Sequence, residues 1–287
     1  MGLCAVLKHC MAWPLTNKHI EALERLDHDF FRKLFQSGAS TPIESFYLAT
    51  YTMPLRFIII GRRLMFYWSI LQKSESELVR RFLTAQELNP VRNDLCLQFK
   101  DDMKTCNIIL TSSEISSMKK CKFKKLVYTQ LREVSREYLL SLKGKHSKLG
   151  SLQNTYILDT YLASNSISTE EKQTLFKLRT RMIDVKSNFR TQYGQDLACR
   201  FCPEEETQSH LLICKELIDN LDTSSIEYED IFKDVKKQKS IARLYTQILK
   251  IRNMKLKLIA KNLSHWEPGA LLVAVPHIQI FFVYDMD

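Results

Sequence analysis

The sequence predicts a mainly α-helical protein. Three observations carry that expectation. Glycine and proline number only seven each in 287 residues, so few positions interrupt a helix. Apolar residues recur at three- and four-residue intervals over long stretches. Serine or threonine stands three residues before glutamate where several of these stretches begin, and glycine or proline stands where several end.

Taken in order, Thr16 to Gln36 reads as an amphipathic helix with Thr16 or Asn17 as N-cap and Ile20, Leu23, Leu26, Phe30, Phe31 and Leu34 as its apolar positions. Ser37-Gly38-Ala39 closes it. Pro42 to Tyr51 reads as a short helix with proline in its first turn. Pro54 opens a third, to about Lys73, whose wide apolar surface makes it the buried centre of the first half. Ser74 and Glu77 form a capping box for a helix to about Asn89, which Pro90 stops. Residues 94 to 118 look less regular, and Asp101-Asp102 among them reads as a solvated acidic turn. A long helix follows from about Met118 to Lys143, ended by Gly144. The polar, glycine-containing stretch 145–168 reads as a linker. Ser168 and Glu171 box the start of a helix to about Phe189. A further short helix begins at Ser209, and two helices fill Tyr228 to Asn262. The expected divisions are 1–144, the linker 145–168, 169–262, and an apolar tail 263–287 that reads as a strand or an ill-packed end.

Composition limits the function. The hydrophobic content of 45% and charged content of 26% are those of an ordinary globular protein. The net charge of +10 suits a polyanionic partner, nucleic acid before membrane. The start MGLCAVLKHC lacks the apolar core of a secretory signal, and eight cysteines in this length make no disulfide scaffold. Nucleus or cytoplasm is therefore expected, not secretion. Phe57 to Leu71 is broken by Arg62 and Arg63, and Ala270 to Tyr284 falls short of the roughly 20 residues of a span, so no membrane role is expected. No phosphate-binding glycine loop or nucleophile elbow is present, and neither an enzymatic activity nor a small-molecule substrate is expected.

The most specific feature is Cys199-x2-Cys202-x7-His210-x3-Cys214. Zinc takes four tetrahedral ligands from thiolate and imidazole; Cys-x2-Cys makes a tight knuckle, and His and Cys four apart on a helix face the same way. One structural zinc ion is expected, because four protein ligands leave no open position. A redox Cys-x2-Cys would sit between a strand and a helix, a context missing here. The loop inside the motif is acidic (Glu204, Glu205, Glu206), a poor phosphate contact. Its neighbours are basic. Lys172, Arg179, Lys186 and Arg190 recur by 7, 7 and 4 along the preceding helix, with Arg181 beside them, and Lys119, Lys120, Lys122, Lys124 and Lys125 crowd one seven-residue run. These ten cations are the expected contacts to RNA or DNA phosphates.

Several of these segments, in this order, resemble the region after the polymerase palm in non-LTR (LINE-type) retrotransposon reverse transcriptases. The matching elements are Ala12-Trp13-Pro14-Leu15-Thr16 with His19-Ile20; Met53-Pro54-Leu55-Arg56-Phe57-Ile58-Ile59-Ile60-Gly61-Arg62-Arg63-Leu64-Met65; Leu83-Thr84-Ala85-Gln86 with Pro90 and Asp94; Leu175 to Met182 with Val185, Lys186, Asn188 and Phe189; and Thr207-Gln208-Ser209-His210-Leu211-Leu212 with Cys214. The resemblance covers roughly residues 10 to 255. It implies an elongated helical thumb-like and linker region, then a small CCHC zinc knuckle and C-terminal helices. It also implies binding of template RNA and target DNA during target-primed reverse transcription. The family's fingers, palm and endonuclease have no counterpart in this sequence, so a non-catalytic role is expected. Two other readings stand beside it: a zinc-stabilised protein-interaction module, and one piece of an active reverse transcriptase whose catalytic part lies upstream.

Overall fold

The computed structural model describes residues 15–264 apart from 93, 147–148, 150–158, 219–220, 222–227 and 229–236. Among the described residues there are twelve α-helices and no strand, as the composition predicts. The expected tail at 263–287 lies almost wholly outside them. No helix is long and apolar enough to cross a membrane.

Helix α1 (Asn17–Phe35) starts on Thr16, whose hydroxyl accepts from His19 N while His19 Nδ1 accepts from Thr16 N, a capping box with histidine in the usual place of glutamate. Its buried face is the expected one in part: Ile20 and Leu23 pack against Leu55 and Ile59, and Phe31 is buried. Phe31 and Phe35 turn inward, whereas Leu26, Phe30 and Leu34 remain 58%, 59% and 45% exposed. Two long-range interactions choose the face. Phe35 meets Phe176 at 4.2 Å between ring centroids, Phe46 meets Phe176 at 5.0 Å, and Phe31 stacks on Phe46 at 5.6 Å. Glu24 accepts two hydrogen bonds from Arg56, at 2.7 and 2.6 Å.

Helix α2 (Ile43–Thr50) follows Pro42 at its N-cap and is buried over most of its length. Helix α3 (Leu55–Leu71) is the expected buried centre, packed by α1, by α4 (Leu78–Leu88), α5 (Leu95–Thr105) and α6 (Ser112–Ser117), and by the long α7 (Lys120–Lys143). Gly61 permits the closest approach of α3 to α7: a Cβ there would stand 2.9 Å from Leu131 Cδ1. Helix α7 buries Phe123, Val127, Leu131, Ser135 and Leu139, each four residues from the last; the first three of its apolar residues enter this core and Leu139 the other, and the helix ends at Gly144 as expected.

Residues 94 to 118 are more regular than their sequence suggests. Asp94 caps α5 by accepting from Leu97 N, and Thr111 with Glu114 boxes α6. Asp101 and Asp102 share no solvated turn. They lie on α5, where Asp101 is exposed and Asp102 is buried, accepting from Arg63 Nε at 2.7 Å and Nη2 at 2.5 Å. The helical period sends the two neighbours to different faces.

Stretch 145–168 does not separate two cores. One apolar cluster joins Phe31, Phe35 and Phe46 to Leu139, Tyr161, Phe176, Leu211, Tyr245 and Ile248; the other is built from α3 to α7. Within the stretch, Leu149 and Tyr161 are buried, Tyr161 on the short α8 (Thr160–Ala163), and Asp159 N donates to Ala49 O at 3.1 Å. Helices α1 and α2 thus belong to the same core as the Cys/His segment.

Helix α9 (Thr169–Arg179) has its Ser168/Glu171 box but ends ten residues before Phe189. The stop is a Schellman turn: Met182 N donates to Lys177 O, Arg181 N to Leu178 O, and Arg181 takes the left-handed conformation (φ 54°) that glycine usually fills. Helix α12 (Gln238–Ser264) closes the fold as one 27-residue helix; most of the segment expected to hold a separate helix before it lies outside the described residues.

Asp102→Ala strands a buried guanidinium and is expected to cost about 3–5 kcal/mol, whereas Asp101→Ala stays within about 0.5 kcal/mol. Urea unfolding of the two variants measures the contrast directly.

Candidate metal centre

The Cys/His segment is built by local backbone pairing. Ala198 and Glu205 form an antiparallel bridge, Cys199 N donates to Glu204 O at 2.6 Å, and Glu206 N donates to Leu197 O at 2.7 Å. This narrow loop turns between Cys199 and Cys202. Beyond it, Thr207 Oγ1 accepts from His210 N at 2.9 Å and starts a 3-10 turn, His210–Leu212. Cys214 N donates to His210 O at 2.9 Å, which keeps histidine and cysteine one turn apart although no α-helix begins at Ser209. Helix α11 (Lys215–Ile218) follows.

Cys199, Cys202, His210 and Cys214 offer ligand atoms that all lie within 4.8 Å of one another. Cys202 Sγ stands 3.2 Å from His210 Nε2 and 4.0 Å from Cys214 Sγ. A tetrahedron with metal–sulfur bonds of roughly 2.3 Å has sulfurs roughly 3.8 Å apart. The donor set and its spacing therefore fit one metal ion. Cys199, His210 and Cys214 are buried and Cys202 is partly so. His210 Nδ1, on the far side of the ring, lies 3.3 Å from Glu204 Oε2, the outer carboxylate contact that orients a metal-bound imidazole. Burial pushes the Cys199 thiol above its ordinary value and, together with the neighbouring thiols, pushes Cys214 up to about 12. Metal-free, these thiols hold their protons at neutral pH.

The acidic loop is internally employed. Glu204 faces His210, and Glu205 accepts from Arg190 Nη2 at 2.8 Å. Glu206 is fully buried, accepts from Arg252 Nη2 at 3.0 Å, and also accepts from Lys186 N at 3.0 Å. Arg252, only 1% exposed, comes from the middle of α12 and also reaches Asp184 at 3.4 Å. Two further pairs, Lys250 with Glu170 at 2.8 Å and Arg243 with Glu171 at 3.5 Å, fasten α12 to α9. Gln208 is the second hub: its amide donates to Leu178 O at 3.0 Å and Tyr228 Oη at 2.9 Å, its side-chain oxygen accepts from Asn188 at 2.8 Å, and its carbonyl accepts from Tyr245 Oη at 3.0 Å. Sequence reasoning missed Glu206, Arg252 and Gln208 as supports of the site. Three consecutive glutamates carry no signal of which one points inward, and Arg252 lies among cations that look alike.

The basic residues near the centre do not form the expected face. With α9 ending at Arg179, the 7, 7, 4 spacing no longer runs along one helix. Lys172 Nζ donates to Leu162 O at 2.9 Å. Arg179 is 2% exposed, paired with Asp159 at 3.0 Å and stacked over the Tyr161 ring, so it is a core residue and not a phosphate contact. Lys186, on a 3-10 turn, pairs with Asp196 at 2.8 Å, and Arg190, which opens the short α10 (Arg190–Tyr193), with Glu205. Arg181 is exposed at the turn. The run at 119–125 differs: Lys119, Lys120, Lys122, Lys124 and Lys125 are all exposed around the buried Phe123, and none enters an ion pair among the described residues.

Comparison with protein-family models, with curated proteins and with solved structures finds no match to this chain.

Two outcomes follow from the geometry. Arg252→Ala leaves the buried Glu206 charge without its ion-pair partner, with only the Lys186 N–H still donating to it, and is expected to lower unfolding free energy by about 3–5 kcal/mol, part of it restored when Glu206→Leu and Arg252→Met are combined. Because thiolates bind metal and these thiols are held protonated, metal uptake is expected to release protons and to weaken as pH falls from about 8 to 6; competitive metal titration across that range reads the slope.

Proposed function

We propose that this chain is a zinc-stabilised, non-catalytic, nucleic-acid-binding part of a non-LTR retrotransposon reverse transcriptase. The lysine run at the start of α7 carries the nucleic-acid reading: five exposed cations without an ion pair among the described residues, in a chain of net charge +10. Three thiols and one imidazole select zinc among the common structural ions, since magnesium and calcium take oxygen ligands. With four protein ligands, the ion holds the fold and carries out no chemistry. The retroelement assignment is supported by the order of the matching segments. Their residues also have defined work in this fold: Arg63 holds Asp102, Thr207 starts the 3-10 turn, and Gln208 ties three elements together.

In this reading the zinc centre does not itself grip phosphate, because Lys186 is paired with Asp196, Arg190 with Glu205, Glu204 with His210 and Glu206 with Arg252 of α12. Binding of the element's RNA or of target DNA falls to the lysines. The protein acts in the nucleus or the cytoplasm, wherever the element's RNA and its target meet. A second reading, a zinc-stabilised protein-interaction module, is favoured by Leu26, Phe30 and Leu34, which expose one apolar stripe along α1.

The purified chain is expected to carry one zinc by elemental analysis and to lose it, with its helical signal, on Cys199→Ser or His210→Ala. RNA affinity measured by fluorescence anisotropy is expected to fall steeply with salt, by roughly 0.7 in log K per phosphate contact for each unit of log salt. Changing the five lysines to glutamine is expected to remove most of that slope. Affinity that is flat in salt rules the nucleic-acid reading out and leaves the interaction module.

A further inference from the structure

We propose that the contact extends beyond the lysine run as a track along α7, with Arg132 and Arg136 as its far contacts and the phosphate backbone of a nucleic acid as its ligand. The proposal rests on the nucleic-acid reading above. Successive residues of a helix are turned by about 100°, so Lys122, Lys125, Arg132 and Arg136 fall within about 80° of arc on one side of α7. All four are exposed, as is Thr129 between them. The buried spine that starts at Phe123 and passes through Leu131 lies on another side and packs against the core.

Length separates a track from a patch. Arg136 stands fourteen residues beyond Lys122, and at about 1.5 Å per residue the stripe is roughly 21 Å long. That spans about six phosphates at the ~3.4 Å per phosphate of one strand of a duplex, and fewer of an extended single strand. The run 119–125 alone covers about 9 Å, or about three phosphates. One ion pair touches the track: Arg136 with Glu133 at 3.6 Å, both about half exposed. Such a surface pair is weak, and Arg136 can exchange it for a phosphate at small cost. Lys122, Lys125 and Arg132 enter no ion pair among the described residues. The stripe holds cations and one hydroxyl, with neither an aromatic ring to stack on a base nor an amide to read one. It is therefore a contact to the backbone that tolerates any sequence.

The test uses the full zinc-loaded chain and labelled oligouridylates of three to twelve nucleotides in fluorescence anisotropy. Wild-type affinity is expected to rise with length until the strand covers the whole track and then level. Arg132→Gln with Arg136→Gln should level at a shorter length, about half that of the wild type, and reduce the salt slope by about 1.4, while Glu133→Gln, which releases Arg136, should tighten binding. Both arginines are exposed, so an unchanged unfolding midpoint confirms that the fold is intact. A double variant with wild-type length dependence and slope, in a chain whose lysine variant has lost binding, overturns the track and leaves the nucleic-acid reading standing. Wild-type binding without salt dependence overturns both.

Discussion

Three thiols and an imidazole drawn within 4.8 Å of one another form the constraint around which the second half of the molecule is arranged. Placing them there requires a loop narrow enough to bridge Ala198 to Glu205, a 3-10 turn that fixes His210, and a carboxylate behind its ring. Each of these supports has a cost of its own, because the loop brings three glutamates with it. The fold meets that cost by sending Glu206 inward to Arg252 and pairing the others nearby. Helix α12 is therefore attached to the metal loop through a buried charge pair as well as through apolar packing.

The same arrangement divides the cations of the protein. Around the metal centre, acidic partners on α9, on the loop and beside Arg190 engage the basic side chains that the sequence offers there. On α7 one exposed pair, Glu133 with Arg136, touches the basic stripe, and the lysines of its first turns face solvent. A positive net charge distributed over the whole chain thus becomes a directed surface on one helix. The Cys/His tetrad and the charged surface are separate pieces of the fold.

Local interactions were the legible part. The capping box at Ser168, the glycine end of α7 and the four-ligand spacing each involve groups a few residues apart, and the helical class and the Cys/His tetrad follow from them. Some local signals were still too faint to read. The Schellman stop after Arg179 uses arginine where glycine would announce it, and the second core's α5 and α6 begin at Asp94 and Thr111 without a long apolar run behind them.

The sequence by itself determined that the protein is helical, where several of its longer helices begin, and which four side chains converge into a tetrad that could hold a metal ion, because those depend on contacts within a turn or a short loop. Tertiary structure alone decided which face of α1 is buried, that Asp102 is inside while Asp101 is not, that Glu206 of three equal neighbours meets Arg252, and that Arg179 belongs to the core. Each of those choices is made by a partner between 20 and 150 residues away (Phe176 for Phe35, Arg63 for Asp102, Arg252 for Glu206, Asp159 for Arg179), and a burial that depends on a distant partner leaves no periodic mark on the residues that undergo it.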